Sequence, residues 1–108
     1  MDKELIRETT LAHFKILDAV LKKEFSGKFD KGFEALVQET RRRLISIFET
    51  HYAIKEYRFK SGVEGQPLVL DPVYRENATD IKNSIAKIVD AEINPYLIRK
   101  KQNSKKKE

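Results

Sequence analysis

Between Phe33 and Ile54 one stripe of side chains, Phe33, Val37, Thr40, Leu44, Ile47, His51 and Ile54, recurs at alternating steps of four and three residues. Three heptads of a single seam demand a long helix with one face turned to a partner, because a helical period brings such positions onto one side. Asp30 stands where an N-cap is needed, since a short carboxylate satisfies the free N–H groups of a first turn. From Leu44 onward a second ridge, Ile45, Phe48 and Tyr52, runs beside the seam. That half of the helix is expected to be buried on an arc too broad for one partner, and so to pack against at least two other helices.

The flanking segments supply those partners. Residues 2–25 contain neither proline nor glycine, and Ile6, Phe14, Leu17, Leu21 and Phe25 fall at helical spacing. Asp2 is placed to cap that helix and Ser26-Gly27 to end it, because glycine readily takes the left-handed conformation that closes helices. A further helix is expected from about Thr79, with Ile81, Ile85, Ile88 and Val89 on one face. It should break or kink at Asn94-Pro95, because proline disfavours helical geometry in the residue before it. Asp71-Pro72 reads as a helix start that opens a short turn through Val73-Tyr74.

Between these helices the pattern changes. Tyr57 and Phe59 alternate with Arg58 and Lys60; a glycine-bearing loop, Ser61 to Pro67, and the apolar run Leu68-Val69-Leu70 follow. This reads as a β-hairpin or extended arm over about 57–70. Two strands alone are marginal in water, so the arm needs the helices or another chain to pack on. The expected fold class is therefore mainly α: a small bundle of three to four helices with the arm, in one domain over residues 1–98.

The charge is unevenly placed. Of 22 lysines and arginines and 17 acids, the last ten residues hold six and one, so residues 1–98 carry equal numbers of each sign. Arg99, Lys100, Lys101, Lys105, Lys106 and Lys107 make 99–108 a basic tail, expected to be disordered because it has almost no apolar residue to bury. A neutral body on a basic tether points to a folded module with a separable electrostatic attachment, in contrast to a basic binding face. With no cysteine, a disulfide framework and a thiolate metal site are excluded. No apolar run reaches the length of a signal-peptide core or a membrane span, so a cytoplasmic protein without membrane insertion is expected.

Three features carry candidate chemistry. Arg41, Arg42 and Arg43 fan over about 200° of a helix, so they read as a solvated, partly paired face or as contacts to phosphate and acidic partners. Tyr57 and Phe59 would share a strand face as base-stacking rings, with Arg58 and Lys60 reaching phosphates, or else anchor the arm to its own core. His13 and His51 lie in apolar stripes, where packing-boundary histidines are the expectation and no metal site is inferred, for want of further ligands. No phosphate loop, dinucleotide fingerprint, nucleophile elbow or zinc-helix pattern occurs, so no catalytic residue, cofactor or small-molecule substrate is inferred.

These features give a first expectation of a non-enzymatic helical assembly module that holds nucleic acid nonspecifically through its tail, helped by Arg41 to Arg43 and Tyr57 to Lys60. The alternative is a protein–protein adaptor or structural subunit, homo- or hetero-oligomeric, with the tail serving only solubility. A small enzyme without a recognisable motif is the third class.

Overall fold

A computed structural model of the chain describes residues 1–60, 64–65 and 69–106. The elements run α1 (Lys3–Glu24), α2 (Lys31–Tyr52), β1 (Ile54–Lys60), β2 (Val69–Tyr74) and α3 (Ala78–Lys106). Both expected caps form: Asp2 accepts from the Leu5 amide at 3.0 Å and Asp30 from the Phe33 amide at 2.9 Å. At the end of α1, Ser26 (φ 53°) and Gly27 (φ 76°) are both left-handed, and the Gly27 N–H reaches back to the Leu21 carbonyl at 2.9 Å. The same carbonyl also accepts from the Phe25 amide at 3.2 Å, so the chain folds back over the last turn and closes the helix. Ser26 carries a Cβ where the backbone favours glycine, so Ser26→Gly is expected to raise stability by roughly 0.5–1 kcal/mol, relief of strain less the added chain entropy. A higher urea midpoint with an unchanged slope is the measurement.

Helix α3 is the spine. Arg7 to Glu92 (3.1 Å), Phe14 stacked on Tyr96 (ring centroids 4.2 Å apart) and Asp18 to Lys100 (2.8 Å) show α1 running alongside it in the same direction. Arg41 with Asp90, Glu34 with Lys101 (3.5 Å) and the Phe29 amide with Ser104 Oγ (3.1 Å) show α2 running against it. One core joins Ile6, Phe14, Leu17 and Leu21 of α1, Phe33, Val37, Leu44 and Phe48 of α2, and Ile85, Val89, Ile93, Tyr96 and Leu97 of α3. The turn between α1 and α2 is held by an aromatic triad, with Phe25 and Phe29 each edge-on to Phe33 at 5.5 and 5.6 Å.

The helices do not end level. From the Arg7–Glu92 contact α1 extends back only to Lys3, whereas α3 extends back to Ala78; at 1.5 Å per residue α3 therefore outruns α1 by about 15 Å. At that end α2 and α3 pack without a third helix, and the hairpin follows. The result is elongated, 60 × 33 × 17 Å with a radius of gyration of 18.0 Å, against about 13 Å for a compact domain of this length.

This explains where the expected seam fails. Leu36 and Thr40, on the flank of α2 beside α1, are partly buried, but Ile47 farther along that flank is 61% exposed and His51 is exposed too. In their place Phe48 and, less deeply, Ile45 and Tyr52 join the core. The second ridge, not the regular seam, carries the last turns of α2.

Three other expectations are corrected. Asp71-Pro72 does not open a helix but lies inside β2. Of the break or kink expected at Asn94-Pro95, the break is absent, because α3 passes through Pro95; that proline is exposed while Ile93, Tyr96 and Leu97 are buried around it, so packing on both sides offsets the bond lost at the Ala91 carbonyl. Residues 99–106, expected as disordered tail, continue α3, while 107–108 lie outside the described residues. Among the described residues the count is three helices and one hairpin, at the lower end of the expected number. No helix is long and apolar enough to cross a membrane among the described residues.

Candidate functional site

The hairpin forms because two alternating segments meet across a short connection. β1 and β2 pair antiparallel with Tyr57 opposite Pro72, Arg58 opposite Asp71, Phe59 opposite Leu70 and Lys60 opposite Val69, after a register shift between Ile54 and Glu56. Of the expected loop, residues 61–63 and 66–68 lie outside the described residues, Leu68 among them.

Opposite residues of a pair share a face, so the sheet sorts into two sides. One side carries charge: Arg58 is bonded to Glu56 (2.8 Å) and Lys60 lies 3.6 Å from Asp71. The other side carries Tyr57, Phe59, Leu70 and Pro72. These apolar groups are open to solvent: Phe59 is 70%, Leu70 52% and Tyr57 48% exposed. Lys82 sits over the Tyr74 ring at 4.1 Å and closes the helical end of this side. No residue of either strand belongs to the core or to the apolar groups packed round it.

The main-chain groups sort as cleanly. The Arg75 amide donates to the Ala53 carbonyl at 2.9 Å, which makes Ile54–Tyr74 a pair whose own N–H and C=O groups point away from the partner strand. By alternation Leu70, Pro72 and Tyr74 face out from β2, and Tyr57 and Phe59 face out from β1. Pro72, which has no N–H, thus loses no ladder bond; this is how a proline fits a strand that local sequence reads as a helix start. No hydrogen bond among the described residues engages the outward amides of Tyr57 or Phe59.

The other candidate residues are placed apart from the hairpin and from one another. Arg41 makes a two-pronged contact with Asp90 of α3, at 2.5 and 2.9 Å, and that hydrogen bond raises its pKa above the ordinary arginine value. Arg42 and Arg43 both turn to Glu39; the bond from Arg42, first, and the charges of both arginines hold the Glu39 carboxyl below its usual range. Lys100 pairs with Asp18 and Lys101 with Glu34, while Arg99 is exposed. The side chains of Lys105, Lys106 and Lys107 lie outside the described residues. His13 Nδ1 is 2.9 Å from the Thr9 carbonyl, and His51 sits edge-on to Tyr52. No group of three potential metal ligands occurs among the described residues.

Leu70 and Pro72 are the site residues that sequence reasoning missed. The period-two pattern of Leu70, Pro72 and Tyr74 against Asp71 and Val73 was the available signal, masked by the strong helix-start reading of Asp71-Pro72. The chain matches no protein-family model, no curated protein and no solved structure.

Proposed function

We propose that this chain is a non-enzymatic assembly subunit whose three-helix body presents the β1–β2 hairpin to another protein. The observation that carries this is the uncovered apolar side of the hairpin, with Phe59 70% exposed and Tyr57 and Leu70 about half exposed. An open aromatic and aliphatic patch backed by a charged side is the composition of a protein-docking surface, and two strands without a packing partner are marginal. The basic residues fit this reading as internal ties, since Arg41, Arg42, Arg43, Lys100 and Lys101 each meet an acid of the same chain.

One observation favours single-stranded nucleic acid as a second reading. Tyr57 and Phe59 share the open side, and each stacked base is worth ~1–3 kcal/mol. Against it, Arg58 and Lys60 lie on the opposite side and are tied to Glu56 and Asp71.

Site-specific photo-crosslinking from position 59, with benzoylphenylalanine in place of Phe59 in the producing cell, separates the two. The assembly reading expects discrete protein adducts at position 59 and none from a control at Glu8, an exposed residue of α1. Nuclease-sensitive adducts, together with oligonucleotide binding that falls in Tyr57→Ala and Phe59→Ala, would put the nucleic-acid reading first.

A further inference from the structure

We infer that the hairpin's partner is the hairpin of a second copy, added strand to strand along β1. This rests on the assembly reading above and names its partner. A two-stranded sheet has two edges, and here they are not equivalent. On the β2 edge Pro72 stands in the middle of the outward-facing set Leu70, Pro72, Tyr74, so an incoming strand meets a missing donor. The β1 edge offers the unengaged amides and carbonyls of Tyr57 and Phe59, which is the arrangement used in strand addition.

A two-fold axis must set some position of β1 opposite itself, and charge selects which. With the axis at Arg58, Glu56 faces Lys60 twice, but two Arg58 side chains are set against each other at the centre. With the axis at Phe59, Arg58 faces Lys60 twice. With the axis at Tyr57, Glu56 of one copy faces Arg58 of the other, and the reverse, so both cross-strand pairs are attractive. This register sets Glu56, Tyr57 and Arg58 of one copy against Arg58, Tyr57 and Glu56 of the other, all on the regular side of the shift between Ile54 and Glu56. The product is a four-stranded sheet in the order β2, β1, β1, β2. It meets the strand number that an isolated hairpin lacks. Its outer edges are the two Pro72-bearing strands, so growth stops at the dimer and does not run on to fibres.

Sedimentation equilibrium of the full chain across a wide concentration range tests this. The wild type is expected to be dimeric. Glu56→Arg and Arg58→Glu should each weaken the dimer by roughly tenfold or more, because two pairs turn repulsive at once, and the double exchange should restore it. Tyr57→Pro removes an outward amide but no ladder bond, and should give a monomer whose hairpin amides remain protected in hydrogen exchange. A double exchange as weak as the single changes would overturn the register. A wild type that stays monomeric while position 59 crosslinks to other proteins overturns the second-copy inference and leaves the assembly reading standing; a monomer with no protein adduct overturns both.

Discussion

Phe48→Ala is expected to lower stability by about 3–5 kcal/mol, and Ile47→Ala by less than about 0.5 kcal/mol, although the two residues are neighbours of similar hydrophobicity. Phe48 is 6% exposed in the two-helix end, where Leu44, Ile85 and the small Ala53 and Ala78 are also buried, and Tyr52 stacks on it at 6.3 Å. Removing its ring leaves a void at an end that α1 does not reach, so no third helix is at hand to fill it. Ile47 is 61% exposed, so its truncation removes little buried surface. For a domain of this length the Phe48 loss corresponds to a fall in melting temperature of roughly 15 °C or more. Thermal and urea unfolding of both variants at one protein concentration decides the matter; equal losses would mean that α1 or a second chain covers the Ile47 flank.

The contrast also shows what the sequence could reveal and where it fell short. A regular seam records where a helix could be covered, not how long its neighbour is. Leu36, Thr40 and Ile47 continue one flank, and only the level at which α1 stops, an outcome of packing, separates the buried positions from the open one. Caps were legible because their cause is local: Asp2 and Asp30 meet amides three residues away. The hairpin was legible from alternation, whereas its second strand was hidden because Asp-Pro satisfies the rules for a helix start and for an edge strand alike.

Long-range pairing accounts for the rest. Residues 99–104 have the composition of a disordered tail, yet Lys100 meets Asp18, Lys101 meets Glu34 and Ser104 accepts from the Phe29 amide, partners between 67 and 82 residues distant. The same applies to Arg41, whose partner Asp90 lies on another helix. Charge counted along the chain gave a basic tether and an arginine cluster; charge counted across the fold gives ties between helices at Arg41, Lys100 and Lys101 and pairs within α2 at Arg42 and Arg43. The hairpin, by contrast, gathers Tyr57, Phe59 and Leu70 on one open side.

Tyr96→Ala is expected to cost about 3–5 kcal/mol and Tyr96→Phe about 1 kcal/mol, the difference separating ring from hydroxyl. The ring is 2% exposed and stacks on Phe14 at 4.2 Å with the planes 11° apart; the hydroxyl donates to Asp18 at 2.8 Å. Burial raises the Asp18 carboxyl's pKa, but the hydrogen bonds from Lys100 and Tyr96 together outweigh it, so Asp18 titrates below the ordinary range. Its contribution to stability is therefore present above the unfolded value of about 3.9 and is lost as pH falls through the lower folded value. For Tyr96, burial first and the bond to Asp18 second push the phenol above its ordinary pKa. The unfolded chain gives up that proton near pH 10 while the fold keeps it, so this contribution is complete below about pH 10 and drains away as pH rises further. Lysine titration affects wild type and Tyr96→Phe alike, so the stability gap between them isolates the phenol. It should hold constant at neutral pH and shrink above about pH 10; a gap that stays constant there would mean that the phenol loses its proton as readily in the fold as in the unfolded chain, and that the Asp18 bond does not bind α1 to the end of α3.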